Sequence, residues 1–104
     1  MSKILIIEDE AAIRRVLTKI LSEENDSYKV EEAEDGLQGI EKVKNEDYDL
    51  ILCDIKMPKM DGVEVLEAVK KIKPEIPMVM ISGHGDLETA INTMRLGAFD
   101  YISK

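Results

Sequence analysis

The sequence predicts an α/β fold: a parallel sheet of five strands, with four intervening helices packed on both faces. Three observations carry this prediction. Short apolar runs alternate with amphipathic stretches along the whole chain. Three of the runs, KILII, DLILC and PMVMI, are continuously apolar, as strands buried on both faces of a parallel sheet are. The prolines and the six glycines are read as lying at junctions between these segments. Strand–helix alternation of this kind gives a parallel sheet with right-handed crossovers.

The first strand is read at residues 3–7 (KILII), followed by Glu8, Asp9 and Glu10. Ile13, Val16, Leu17, Ile20 and Leu21 then recur at three- and four-residue spacing, giving a helix with one apolar stripe. Residues 28–33 (YKVEEA) form a more polar strand, expected at the sheet edge. Leu37, Ile40 and Val43 mark a second helix, with Asp35 as its cap. The third strand, residues 49–53 (DLILC), runs directly into Asp54. The loop IKMPKMDG follows, punctuated by Pro58 and Gly62. Val65, Leu66, Val69 and Ile72 give a third helix that stops before Pro74. The fourth strand is residues 77–81 (PMVMI), ending at Ser82. Leu87, Ala90, Ile91 and Met94 form a fourth helix, with Asp86 as the expected cap and Gly97 as the expected C-terminal stop. Residues 99–102 (FDYI) are the last strand, ending at Ser103 and Lys104.

The 104 residues fit one small domain, read here as residues 1–104. No apolar run approaches the roughly 20 residues of a membrane span. The opening MSKILIIEDE has too short an apolar stretch, and no small-residue cleavage site, to read as a signal peptide. A single cysteine excludes an internal disulfide and a cysteine-based zinc site, so a reducing cytoplasm is the simplest expectation. The net charge of −8 argues against direct nucleic-acid binding, which needs clustered Lys and Arg.

In an open parallel sheet the ligand site lies beyond the carboxyl ends of the strands, where strand order reverses. The residues there are Glu8 and Asp9, Asp54, Ser82 and Lys104. Three carboxylates, a hydroxyl and an ammonium thus converge on one edge. Clustered carboxylates repel unless a cation neutralises them. Mg²⁺ suits an oxygen-only set, keeps waters and accepts phosphate oxygens. An aspartate can itself accept a phosphoryl group as an acyl phosphate. Each residue alone has a blander reading. The acids could serve the start of the first helix, Ser82 could cap a turn, and Lys104 could be solvated. Asp54 is harder to dismiss, because it directly follows a buried strand. Cys53 reads as a small core residue.

The pieces IIEDE, CDIKMPKMDG, MISGHGD and AFDYISK, in this order and spacing, resemble bacterial response-regulator receiver domains across essentially the whole chain. The resemblance implies a flavodoxin-like, doubly wound sheet of order 2-1-3-4-5. It implies that Asp54 is the phosphoacceptor and that Asp9 and Asp54 ligate Mg²⁺ directly, with Mn²⁺ able to substitute. Glu8 would act through metal-bound water and Lys56 through its backbone carbonyl. Ser82, Lys104 and Tyr101 would bind the phosphoryl group or switch with it. Lys56 and His84 would tune its hydrolysis, although His84 taken by itself reads as a solvated loop residue. The implied protein is a phosphoacceptor signalling domain rather than an enzyme, promoting only its own phosphorylation and dephosphorylation. Its implied partners are a sensor histidine kinase and a C-terminal output domain. The segments ISGHGD and AFDYISK look most like receivers that precede transcription-activating ATPases.

The family usually continues beyond the position of Lys104 with a proline and a fifth helix. Its absence is expected to uncover apolar surface on the first, third and fifth strands, and to favour self-association there or through the fourth helix and fifth strand. It also puts Lys104 in doubt as an ordered residue. Alternatives stay open. A degenerate or truncated receiver would act as a phosphorylation-independent interaction module. A mononucleotide binder would need a glycine- or hydroxyl-rich loop where Glu8, Asp9 and Glu10 stand. An aspartyl phosphatase would want an acid where Lys56 stands.

Overall fold

The computed structural model describes residues 2–83 and 87–103. Five strands and four helices alternate: β1 (Ser2–Ile7), α1 (Ala11–Glu24), β2 (Tyr28–Ala33), α2 (Gly36–Asn45), β3 (Leu50–Asp54), α3 (Gly62–Ile72), β4 (Met78–Ser82), α4 (Leu87–Arg95) and β5 (Asp100–Ser103). The strands form one sheet of order β2-β1-β3-β4-β5, every neighbouring pair parallel. The expected fold class, strand order and edge position of β2 all hold.

Three strands begin and end one residue later than the apolar runs suggest. Pro77 explains β4. It has no N–H to give a central ladder, so only its carbonyl takes part, accepting from the Ile51 amide at 3.0 Å, and β4 begins at Met78. As a result Asp54 and Ser82 are the last residues of β3 and β4 rather than the first of their loops.

The helices divide between the faces. On one, Ile40 and Val43 of α2, Val65, Leu66 and Val69 of α3 and Ala90 of α4 pack on Leu5, Ile7, Ile51, Cys53, Met78 and Met80. On the other, Leu17 and Leu21 of α1 cover Ile6, Leu52 and Ile81. Burying a side chain of this size stabilises by about 1.5–3 kcal/mol. Gly39 departs from the expected placing of glycines at junctions, because it lies inside α2. A Cβ there would come within 2.5 Å of Ile7 Cδ1, so the glycine is what lets α2 lie close against β1.

The expected uncovered surface is corrected in position. On β1 and β3 the apolar residues facing α1, Ile6 and Leu52, are buried beneath Leu17 and Leu21. Exposure falls instead on the outer flank of α1, where Val16 and Ile20 are each 56% exposed, while on β5 the expectation holds, with Ile102 exposed. Between them runs an apolar groove of 390 Å³ lined by Ala12, Ile13, Val16, Leu17, Ile81, Ile102 and Ser103. Among the described residues no helix is long and apolar enough to cross a membrane.

The expected caps on described residues also hold. The Asp35 carboxylate accepts from the Gln38 amide at 2.7 Å. Gly97 takes φ +108° just past α4, a conformation that favours glycine. The expected cap Asp86 lies outside the described residues. Lys59, in the β3–α3 loop, holds φ +69° without being glycine. Lys59→Gly relieves about 1–2 kcal/mol of left-handed strain and costs about 0.5–1 kcal/mol of glycine entropy, so a net stabilisation of about 0.5–1 kcal/mol is expected. Urea unfolding of the two proteins checks this.

Candidate acidic phosphoryl site

The site grows out of strand register. Ile7 of β1 lies beside Cys53 of β3, and Asp54 lies beside Ile81 of β4. The next residues along β1 and β4 are Glu8 and Ser82. The sequence crosses from β1 out to β2 and returns to β3 on the other side, so the β1–β3 boundary is the topological switch point. Glu8 and Asp9 leave β1 there, and Asp54 closes β3 there.

The carboxylate oxygens of Glu8, Asp9 and Asp54 lie within 4.8 Å of one another. Glu8 and Asp54 are buried and Asp9 is half-buried. Two oxygens on opposite sides of an octahedral ion with ~2.1 Å bonds stand ~4.2 Å apart. A small side-chain adjustment therefore lets this set grip Mg²⁺, and its oxygen-only chemistry suits a hard cation.

Crowding shows in the protonation of Glu8. Burial first, then the neighbouring Asp54 and Asp9 carboxylates, push its pKa up to about 7. The sign for stability follows. Below about 4.5 the carboxyl is neutral in both folded and unfolded chains and costs nothing. Between about 4.5 and about 7 only the unfolded chain releases the proton freely, so the metal-free fold loses stability as pH rises through this window. A divalent cation that needs the charged form is bound more weakly below pH 7. Urea midpoints in chelator, measured against pH, are expected to decline across the window, and Glu8→Gln is expected to flatten the decline.

The other predicted residues are placed as follows. Ser82 is buried, and its hydroxyl donates to the Ile102 carbonyl at 3.3 Å, so it faces β5 in this structure. Tyr101 is half-buried beside Met80, at the margin of the larger core cluster. Lys56 is exposed in the β3–α3 loop. His84 and Lys104 lie outside the described residues. Cys53 is fully buried and donates through Sγ to the Asp54 carbonyl at 3.4 Å; burial, then the Asp54 charge, hold its thiol well above the ordinary range, as for an inert core thiol.

Sequence reasoning missed the support beneath Asp54. Asp61 caps α3 in a full capping box: its side chain accepts from the Glu64 amide, and Glu64 reaches back to the Asp61 amide. The pattern D-x-x-E at residues 61–64 carried that signal. Gly62 then sits so close under β3 that a Cβ would lie 2.3 Å from the Asp54 carbonyl oxygen, and its amide donates to the Ile55 carbonyl at 2.7 Å. A glycine after a capping acid is otherwise read only as loop punctuation.

A doubly wound parallel sheet of order 2-1-3-4-5 defines the flavodoxin-like class of α/β domains. Within that class the comparison is specific. The response regulator receiver domain family matches residues 4–104, and the chain belongs to it. The chain is 37% identical over 101 residues to the transcriptional regulatory protein ZraR of Klebsiella oxytoca, covering 97% of this chain and 22% of that protein. Among solved structures, a response regulator receiver domain protein from Clostridium thermocellum matches with a TM-score of 0.91 at 35% identity, over 100% of this chain and 82% of that one. NtrX from Brucella abortus matches with a TM-score of 0.92 at 37% identity, over 100% of this chain and 23% of that one. The chain thus spans about a fifth of the length of curated relatives such as ZraR. It is a receiver domain of two-component signalling.

Proposed function

We propose that this receiver takes a phosphoryl group on Asp54 from a phosphohistidine of a sensor kinase, in a Mg²⁺-dependent reaction, and passes the change to an output domain or partner. The observation that carries this is a buried Asp54 ending β3, with the Glu8 and Asp9 carboxylates within 4.8 Å. Asp9 and Asp54 would hold the cation directly, Glu8 through water, and Lys56 through its carbonyl. When bound, the cation supplies positive charge that offsets the three carboxylates and the incoming phosphoryl oxygens.

The chain's own residues do the rest. An Asp54 carboxylate oxygen attacks phosphorus in line. The new O–P bond forms as the P–N bond to the donor imidazole breaks, and the imidazole leaves with the electron pair and takes a proton. Burial keeps water from the acyl phosphate, and Lys104 is the proposed partner for a phosphoryl oxygen. Lys56 and His84 are the residues proposed to tune hydrolysis of the acyl phosphate. Ser82 now donates to the Ile102 carbonyl. Turning to the phosphoryl oxygen releases that bond to β5, and Tyr101, on the same strand, moves inward. The affected surface is apolar: Leu87, Ile91, Met94, Phe99 and Ile102 are all exposed. It is the proposed contact for an output domain, such as a transcription-activating ATPase, or for a second copy. Receivers that precede DNA-binding machinery do not themselves need to touch nucleic acid, and the net charge of −8 argues against it here.

Amide NMR during addition of Mg²⁺ and then beryllium fluoride, a mimic of the acyl phosphate, tests the switch. Shifts at Asp54, Ser82, Tyr101 and α4 that appear only with both additions support it. Shifts confined to Glu8, Asp9 and Asp54 would leave Mg²⁺ binding without switching.

A further inference from the structure

The start of α1 lacks the usual fixings. Its N-cap, Glu10, makes no side-chain capping bond, and no acid stands in the first turn. Yet the turn before it carries Glu8 and Asp9, whose positions decide whether a cation is held. Three bonds shape that turn. The Glu8 amide extends the sheet to the Ala33 carbonyl at 3.1 Å. Glu8 Oε2 accepts from the Glu10 amide at 3.3 Å. The Glu8 carbonyl accepts from Arg14 Nη1 at 2.8 Å.

The third bond is the informative one. The Glu8 carbonyl belongs to the peptide plane from which Asp9 departs, so fixing that oxygen fixes where Asp9 begins. Arg14 is itself held. Its Nε donates to Glu32 Oε1 at 2.9 Å, and Thr18 donates to Glu32 Oε2 at 3.0 Å. Arg14 and Thr18 are one turn apart on the same side of α1, so Thr18 steadies Glu32, while Glu32 of β2 and the Glu8 carbonyl just past β1 hold the guanidinium from two directions. Its side chain is only 15% exposed. A planar fork with two targets is a geometric device in a way that an exposed ion pair is not.

We propose that Arg14 is a positioning residue for the acidic site, orienting the Glu8–Asp9 peptide so that both carboxylates face the cation. This rests on the reading of the acidic cluster as a Mg²⁺ site. Charge alone predicts the reverse effect, because removing a cation next to a metal site should tighten Mg²⁺ binding. Residues that orient metal ligands typically cost 10- to 100-fold in affinity when removed.

The test is the Mg²⁺ dissociation constant by calorimetry, with unfolding melts run alongside, for wild type, Arg14→Ala, Arg14→Lys and Arg15→Ala. Arg15 is exposed on the same helix and serves as the control. Arg14→Lys keeps the charge and loses the fork, so it isolates geometry and remains informative if Arg14→Ala does not fold. Weakening of about 10-fold or more in Arg14→Lys, with Arg15→Ala within about twofold of wild type, is the expected result. Unchanged or tighter binding in a folded Arg14→Lys would reduce Arg14 to a tie between α1 and β2 and overturn the proposal. Absence of Mg²⁺ binding by wild type would instead overturn the site reading and take this inference with it.

Discussion

Asp54→Asn is expected to make the metal-free protein more stable, by on the order of 1–2 kcal/mol at neutral pH. Asp54 is buried against Glu8, whose proton affinity it raises. A neutral amide of nearly the same shape removes the like-charge repulsion, and one pKa unit of relief is worth about 1.4 kcal/mol. For a domain of this size that is about 4–8 °C in Tm per kcal/mol. Mg²⁺ should reverse the order. It stabilises wild type by mass action on the folded state and loses a ligand in the variant. Melts in chelator and in saturating Mg²⁺ check both halves. A variant less stable in chelator would mean that the Asp54 carboxylate supports the fold more than it strains it.

The second large effect is expected at Gly62. Alanine is the better helix former by about 1 kcal/mol, which taken alone favours Gly62→Ala at the first residue of α3. The clash decides the other way. The new Cβ would meet the Asp54 carbonyl oxygen at 2.3 Å and Ile55 Cα at 2.7 Å, both backbone atoms of a buried segment. Neither can swing aside, so β3 or the start of α3 must move. A net loss of about 3 kcal/mol is expected, at the upper end for overpacking, with weaker Mg²⁺ binding because Asp54 moves with its strand. Urea unfolding measures the first and a Mg²⁺ titration the second. A change within about 0.5 kcal/mol would show that the loop yields.

Much of this was legible in the sequence because it is local. Apolar runs located the strands, and a strand's end points at the site, so Asp54 and Ser82 could be placed to within one residue. The edge position of β2 followed from YKVEEA. What could not be read depends on elements distant in sequence. Gly39 and Gly62 look like punctuation until Ile7 and Asp54 are brought against them. Arg14 lies in a helix, and its partners are Glu8, just past β1, and Glu32 of β2. The apolar surface expected to be uncovered on β1 and β3 was misplaced for the same reason: how far α1 reaches across these strands is a matter of docking geometry, and Leu17 and Leu21 cover Ile6 and Leu52 where periodicity showed only a stripe.

The polar end of the sheet opposite the site illustrates the same limit. Tyr48 is buried and donates to both Glu31 and Glu46, while Lys3 pairs with the same two acids. Lys3, then Tyr48, pull the Glu46 carboxyl down to about 2. The charged residues that make β2 look like an edge strand are thus engaged at both ends, with Glu31 in this network and Glu32 on Arg14.

The central claim is that Asp54 accepts a phosphoryl group with the help of a divalent cation. Intact mass after incubation with acetyl phosphate tests it most directly, for wild type and Asp54→Asn, each with Mg²⁺ and with chelator. Gain of a single phosphoryl group by wild type with Mg²⁺, and by no other sample, is the predicted result. No gain in folded wild type, or an equal gain in Asp54→Asn, would contradict the account and favour a receiver that acts only as an interaction module.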